Sequence, residues 1–155
     1  MKKLVVLIAG FSPLLIGYGV NLMLYNFVIA KLGMTLDFIS IIFFLYWIIL
    51  GVVLNKFTKS KISTPFICNL PALIILILIL FQELINKQYW YNNWGLATQY
   101  FYLPTLRVGF KLTPNFMHYM WQTYIVSFVL LVLSFCIGYY MKVIMKFCKN
   151  LINVR

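Results

Sequence analysis

The amino-acid sequence predicts an all-α integral membrane protein: a four-helix transmembrane bundle with an outer aromatic, partly extended cap between helices three and four. Residues 4–30, 38–55, 62–82 and 112–141 contain no Asp, Glu, Lys, Arg or His apart from His118. Each run reaches or approaches the ~20 apolar residues needed to cross a hydrocarbon core. A backbone at that depth has no water to bond, so the runs must be helices or a closed barrel. Barrel strands alternate and are about half as long, which excludes them. A change of sequence period within residues 87–118 sets the cap apart.

With 155 residues, 64% of them hydrophobic and 10% charged, the chain is expected to form a single membrane domain. A soluble domain of ~50 residues or more does not fit around the spans. The expected layout is TM1 at about 4–30, TM2 at 38–55, TM3 at 62–86, the cap at 87–118, TM4 at 119–142 and a cytoplasmic tail at 143–155. Met1-Lys2-Lys3 before an apolar run has the opening of a secretory signal. The uncharged stretch is far longer than a signal core of about 7–15 residues, so it is expected to stay attached as the first helix.

Orientation follows from the cations. Lys2, Lys3, Lys56, Lys59, Lys61, Lys142, Lys146, Lys149 and Arg155 fall on one side of the predicted bundle; Lys31, Lys87, Arg107 and Lys111 fall on the other, together with both acids, Asp37 and Glu83. The richer side is expected to be cytoplasmic, giving a multi-pass plasma-membrane protein with both termini inside. The net charge of +11 does not point to nucleic acid, because the cations are split between two faces. Topogenic lysines that meet anionic lipid account for it. The excess of lysine over arginine, with abundant Ile, Phe, Tyr and Asn, suits a low-GC bacterium.

Cys68 and Cys136 lie within spans and Cys148 just past the fourth, with no C-x-x-C pair, so buried inert thiols are expected. In helix one, Gly10, Pro13, Gly17 and Asn21 share a face, and small residues there admit another helix at close range. Pro13 is expected to bend that helix. Helix four carries a similar stripe of Ser127, Ser134 and Gly138. Helix two is bulkier, with Phe43, Phe44, Tyr46 and Trp47. Helix three holds Pro65 and Pro71 around Asn69, which is placed to bond a carbonyl freed by the prolines. Asn21 and Asn69 are the deep polar groups, and interhelical adhesion explains them better than a transport site between helices one and three.

The cap divides in two. Trp90, Trp94, Ala97 and Phe101 recur at helical spacing and suit a segment lying in the headgroup plane. Between Pro104 and Pro114, the residues Leu106, Val108, Phe110 and Leu112 alternate with Thr105, Arg107, Gly109, Lys111 and Thr113, which predicts a strand over 105–113. A lone amphipathic strand must pair with its own loop, lie on the helix ends or accept a partner strand. Arg107, Lys111 and Val108, with Trp90 and Trp94, are therefore the candidate partner- or ligand-binding residues. Asp37, Glu83 and His118 are expected near the same outer ends, as one polar cluster with Lys31, Lys87 or Arg107.

No H-E-x-x-H, Gly-rich phosphate loop or G-x-S-x-G elbow occurs. The expectation is a non-catalytic binding or accessory subunit, of immunity or assembly type, with no catalytic residue, metal or cofactor. Its partners would be the bilayer and another integral membrane protein or a second copy. The competing expectation is a small oligomeric transporter or channel subunit, with a membrane enzyme third.

Overall fold

The computed structural model describes residues 2–26, 32–57, 62–87, 93–113 and 119–152. They form α1 (Lys2–Gly10), α2 (Ser12–Asn26), α3 (Leu32–Phe57), α4 (Ser63–Leu80), α5 (Asn93–Leu112) and α6 (Met120–Ile152). Four stretches are long and apolar enough to cross a membrane: Lys3–Leu24, Leu36–Asn55, Ser63–Ile85 and Met120–Met141. They overlap the four charge-free runs, the second and third also taking in Asp37 and Glu83. No strand occurs among the described residues.

The first span is two helices. Pro13 has no N–H to give to Ala9, and the ladder is bridged at the break by short-range bonds. Phe11 N–H donates to the Ile8 carbonyl and Leu14 N–H to the Phe11 carbonyl, each at 3.0 Å. The break lets the two halves choose different neighbours: α1 packs on α4, and α2 packs on α5. The α4 helix keeps Pro71 in its interior and continues into a π-helical stretch, Phe81–Asn86. Lys87, in the left-handed region at φ 52°, closes it. The α6 helix runs past the end of its span, so the expected 143–155 tail begins as helix as far as Ile152.

Glycines make the crossings. A Cβ on Gly10 would collide with the Cys68 carbonyl and touch the Pro71 ring, and one on Gly17 would collide with the Tyr100 carbonyl beside Pro104. Pro104 has no N–H for the Tyr100 carbonyl, its i−4 partner, and that freed oxygen is the group lying against Gly17. On the other side of the bundle, Gly138 of α6 meets the Ile48 backbone of α3, and Gly51 of α3 meets the α6 backbone from Phe135 to Tyr139. Gly109 of α5 meets Ser127 and the Thr123 carbonyl of α6. Of the expected small-residue stripe in α6, Ser127 and Gly138 face neighbours. Ser134 instead donates to the Leu130 carbonyl of its own helix at 2.8 Å.

Around these crossings sits an aromatic core. Trp47 and Phe135 are fully buried with ring centroids 5.9 Å apart, and Phe43 and Tyr139 extend the stack at either end. The expected strand over 105–113 is not formed: residues as far as Leu112 complete α5, and one face of that segment, Thr105, Gly109 and Thr113, is buried in the bundle. Phe101, Tyr102 and Thr105 have no exposed surface. The buried positions Thr98, Phe101, Tyr102, Thr105, Gly109 and Thr113 recur at steps of three and four, which is a helical face. Threonine can line it because each hydroxyl bonds its own backbone. Thr98 donates to the Gly95 carbonyl at 2.8 Å, Thr105 to Tyr102 at 2.9 Å and Thr113 to Gly109 at 2.7 Å.

Two glycines of α2 test the crossing model. Gly17→Ala drives a methyl into the Tyr100 carbonyl and is expected to lower stability by about 1–3 kcal/mol. Gly19→Ala meets nothing within 4 Å and is expected to leave the melting temperature in detergent unchanged. Equal melting of the two variants would refute the α2–α5 contact.

Candidate functional site at the junction of α3, α5 and α6

The second turn of α3 presents Asp37, and the last two turns of α5 present Arg107 and Lys111. Four residues apart, the two cations lie on one helical face and converge on the acid. Lys111 Nζ donates to Asp37 Oδ2 at 2.7 Å, and Arg107 Nε stands 3.4 Å from Oδ1 without making a hydrogen bond. All three side chains are partly exposed, so the arrangement contributes little to folding. One carboxylate faces two cations, which leaves the junction with an excess positive charge.

Beside it is a hollow of about 280 Å³ to which Arg107, alone among the described residues, contributes a charged group. Its walls are mainly apolar, with Leu36 from α3, Leu103, Leu106 and Phe110 from α5, and Met120 from α6. Phe110 and Met120 are themselves exposed by half or more, so the hollow has apolar rims.

The expected polar cluster falls only in part on described residues. Asp37 pairs with Arg107, as anticipated, and also with Lys111. Glu83 faces the Trp121 backbone N–H in the first turn of α6, where a helix has unpaired donors and favours negative charge. His118 lies outside the described residues, as does Trp90. Trp94 falls in the first turn of α5, and Val108 is half-buried on that helix.

The two asparagines do not form a site. Asn21 Nδ2 is 3.5 Å from the Tyr100 hydroxyl of α5, a long contact. Asn69 Nδ2 donates to the Pro65 carbonyl of its own helix at 2.9 Å, and not to the Ile67 carbonyl, the i−4 acceptor that Pro71 leaves without an N–H. The polar residue that ties α5 to α4 is one the sequence reading passed over. Tyr102 donates its hydroxyl to the Ala72 carbonyl at 2.7 Å, and its ring stands edge-on to Tyr124 at 5.8 Å. Burial pushes the Tyr102 phenol up, so the proton stays on the oxygen and the bond is permanent. Its signal in the sequence was weak, one tyrosine among several in an aromatic run. Tyr46, donating to the Ser12 hydroxyl at 2.8 Å, ties α3 to α2 in the same way.

No protein-family model, curated protein or solved structure matches this chain. The geometry of the junction therefore carries the functional argument by itself.

Two substitutions separate structural from available polar groups. Tyr102→Phe removes a buried bond and is expected to lower stability by about 1 kcal/mol. Asp37→Asn, at the partly exposed junction, is expected to leave thermal unfolding in detergent nearly unchanged. A larger loss for Asp37→Asn than for Tyr102→Phe would make the junction a structural staple.

Proposed function

We propose that this chain is a non-catalytic membrane protein that works by binding, as an accessory subunit engaging a partner membrane protein or an envelope ligand. The observation that carries this reading is the junction itself. Two cations share one acid beside an open apolar hollow, in a place where the ion pairs add little to the fold. Elsewhere in the bundle most described glycines are already covered, Gly19 of α2 being open. Gly10, Gly17, Gly51, Gly109 and Gly138 all meet neighbouring helices of the same chain. A partner reaching for a complementary surface finds one at the junction.

The corrected structure of α5 changes how such a partner would engage. A strand edge would have offered backbone donors and acceptors to an incoming strand. A packed helix offers side chains alone, so Arg107, Lys111 and Phe110 take the place of the main chain in this reading. Placement in the plasma membrane with both termini cytoplasmic belongs to the same proposal and rests on the lysine asymmetry.

In a mild detergent extract the protein is expected to migrate in a defined heteromeric complex. Arg107→Glu combined with Lys111→Glu is expected to release the partner in a salt-sensitive manner while insertion is retained. A homo-oligomer that passes ions through liposomes containing this chain alone would overturn the binding reading. Orientation is tested separately with an impermeant thiol reagent on intact cells. Lys87→Cys is expected to react and Lys59→Cys to be shielded, and the reverse pattern would invert the topology.

A further inference from the structure

We propose that the hollow between α3, α5 and α6 receives part of an acyl chain of an anionic lipid, whose phosphate pairs with Arg107 and Lys111. The inference deepens the binding reading by naming a ligand class for the same junction. Three features select this occupant. At about 280 Å³, the hollow lies at the small end of small-molecule sites, which are roughly 300–1,000 Å³, so it suits a segment of chain rather than a whole lipid. Its rims, Phe110 and Met120, are exposed and apolar, so an acyl chain entering between them keeps apolar neighbours, whereas a free hydrated anion would find only the cations to bind.

The third feature is charge. Asp37 Oδ2 is bonded to Lys111, whereas Arg107 Nε makes no hydrogen bond to Oδ1 at 3.4 Å. A phosphate at the rim would neutralise the excess cation, and a guanidinium presents paired N–H donors to its oxygens. A second hollow, about 270 Å³ between α4 and α6, provides the internal comparison. It is lined by Phe66, Asn69, Phe128 and other uncharged residues, so a chain seated there would carry no preference for headgroup charge.

The test uses the purified full chain in neutral detergent, offered equal amounts of phosphatidylglycerol and phosphatidylcholine with the same acyl chains. Bound lipid is read by native mass spectrometry. The expected result is roughly fivefold or greater retention of phosphatidylglycerol, since a cation near a lipid surface favours anionic headgroups. Arg107→Gln with Lys111→Gln is expected to abolish the preference. Asp37→Asn, which removes the competing carboxylate, is expected to increase it. Leu106→Trp, filling the hollow, is expected to lower retention of phosphatidylglycerol while the melting transition is kept.

Equal retention of the two lipids by the unaltered chain would overturn the proposal, as would a preference that survives loss of both cations. Inorganic phosphate that stabilises the protein as well as phosphatidylglycerol does would make the junction a free-anion site and equally overturn it. Because the lipid preference is measured on the isolated chain, its absence removes this ligand assignment alone. Ion flux through the isolated chain removes the binding reading instead.

Discussion

Direct contact between one helix backbone and another, admitted by glycine, is the interaction on which this bundle depends. In a bilayer, apolar side chains gain little by leaving lipid for protein, so helices associate through close packing and polar contacts. This chain places Gly10 and Gly17 on either side of Pro13, and each lies against a turn that holds a proline in another helix. At Pro71 and at Pro104 the normal ladder of backbone bonds is interrupted, and carbonyls of those turns face a glycine. The bend in the first span lets one sequence stripe serve two helices.

The placement of α5 follows from that arrangement. A segment with Asn, Gln, Thr and two cations is a poor candidate to be enclosed by apolar helices. One face of it is nevertheless enclosed, and the hydroxyls on that face are satisfied locally or reach a specific acceptor, whereas Gln99 Nε2 has no partner. The three threonines bond carbonyls of their own helix, and Tyr102 reaches Ala72. The cations occur near the end of the helix, where Arg107 and Lys111 meet Asp37 and remain partly exposed. Helix interior and charged end are thus divided along one element, and the division creates the hollow beside Arg107.

The spans were legible because absence of charge over twenty residues is a strong and unambiguous signal. The close contacts at Gly10, Gly17 and Gly138 were legible from the spacing of small residues, whereas Arg107 was one of three cations that could have met the outer acids. The helix over 105–113 was not. Its buried face is built from Thr105, Gly109 and Thr113, which a hydrophobic pattern scores as polar or neutral. Its partly exposed apolar residues, Leu106, Val108, Phe110 and Leu112, happen to fall at alternate positions. Pro104, read as a boundary, is instead interior, accommodated by a glycine from a helix far away in the sequence. Local periodicity has no access to such a contact.

The dependence of α2 on α5 also bears on the order in which the protein can be built. Chains are made from the N-terminus, and these two helices are separated by most of the intervening sequence: Asn21 and Tyr100 are 79 positions apart. When α4 emerges, α1 can dock on it at once, but α2 has as yet no surface to receive it. Its glycine stays unfilled until residues 93–112 have been synthesised. The first span is then half assembled and half waiting, and the nascent chain passes through a stage in which a ready-made docking face is open to any other helix nearby.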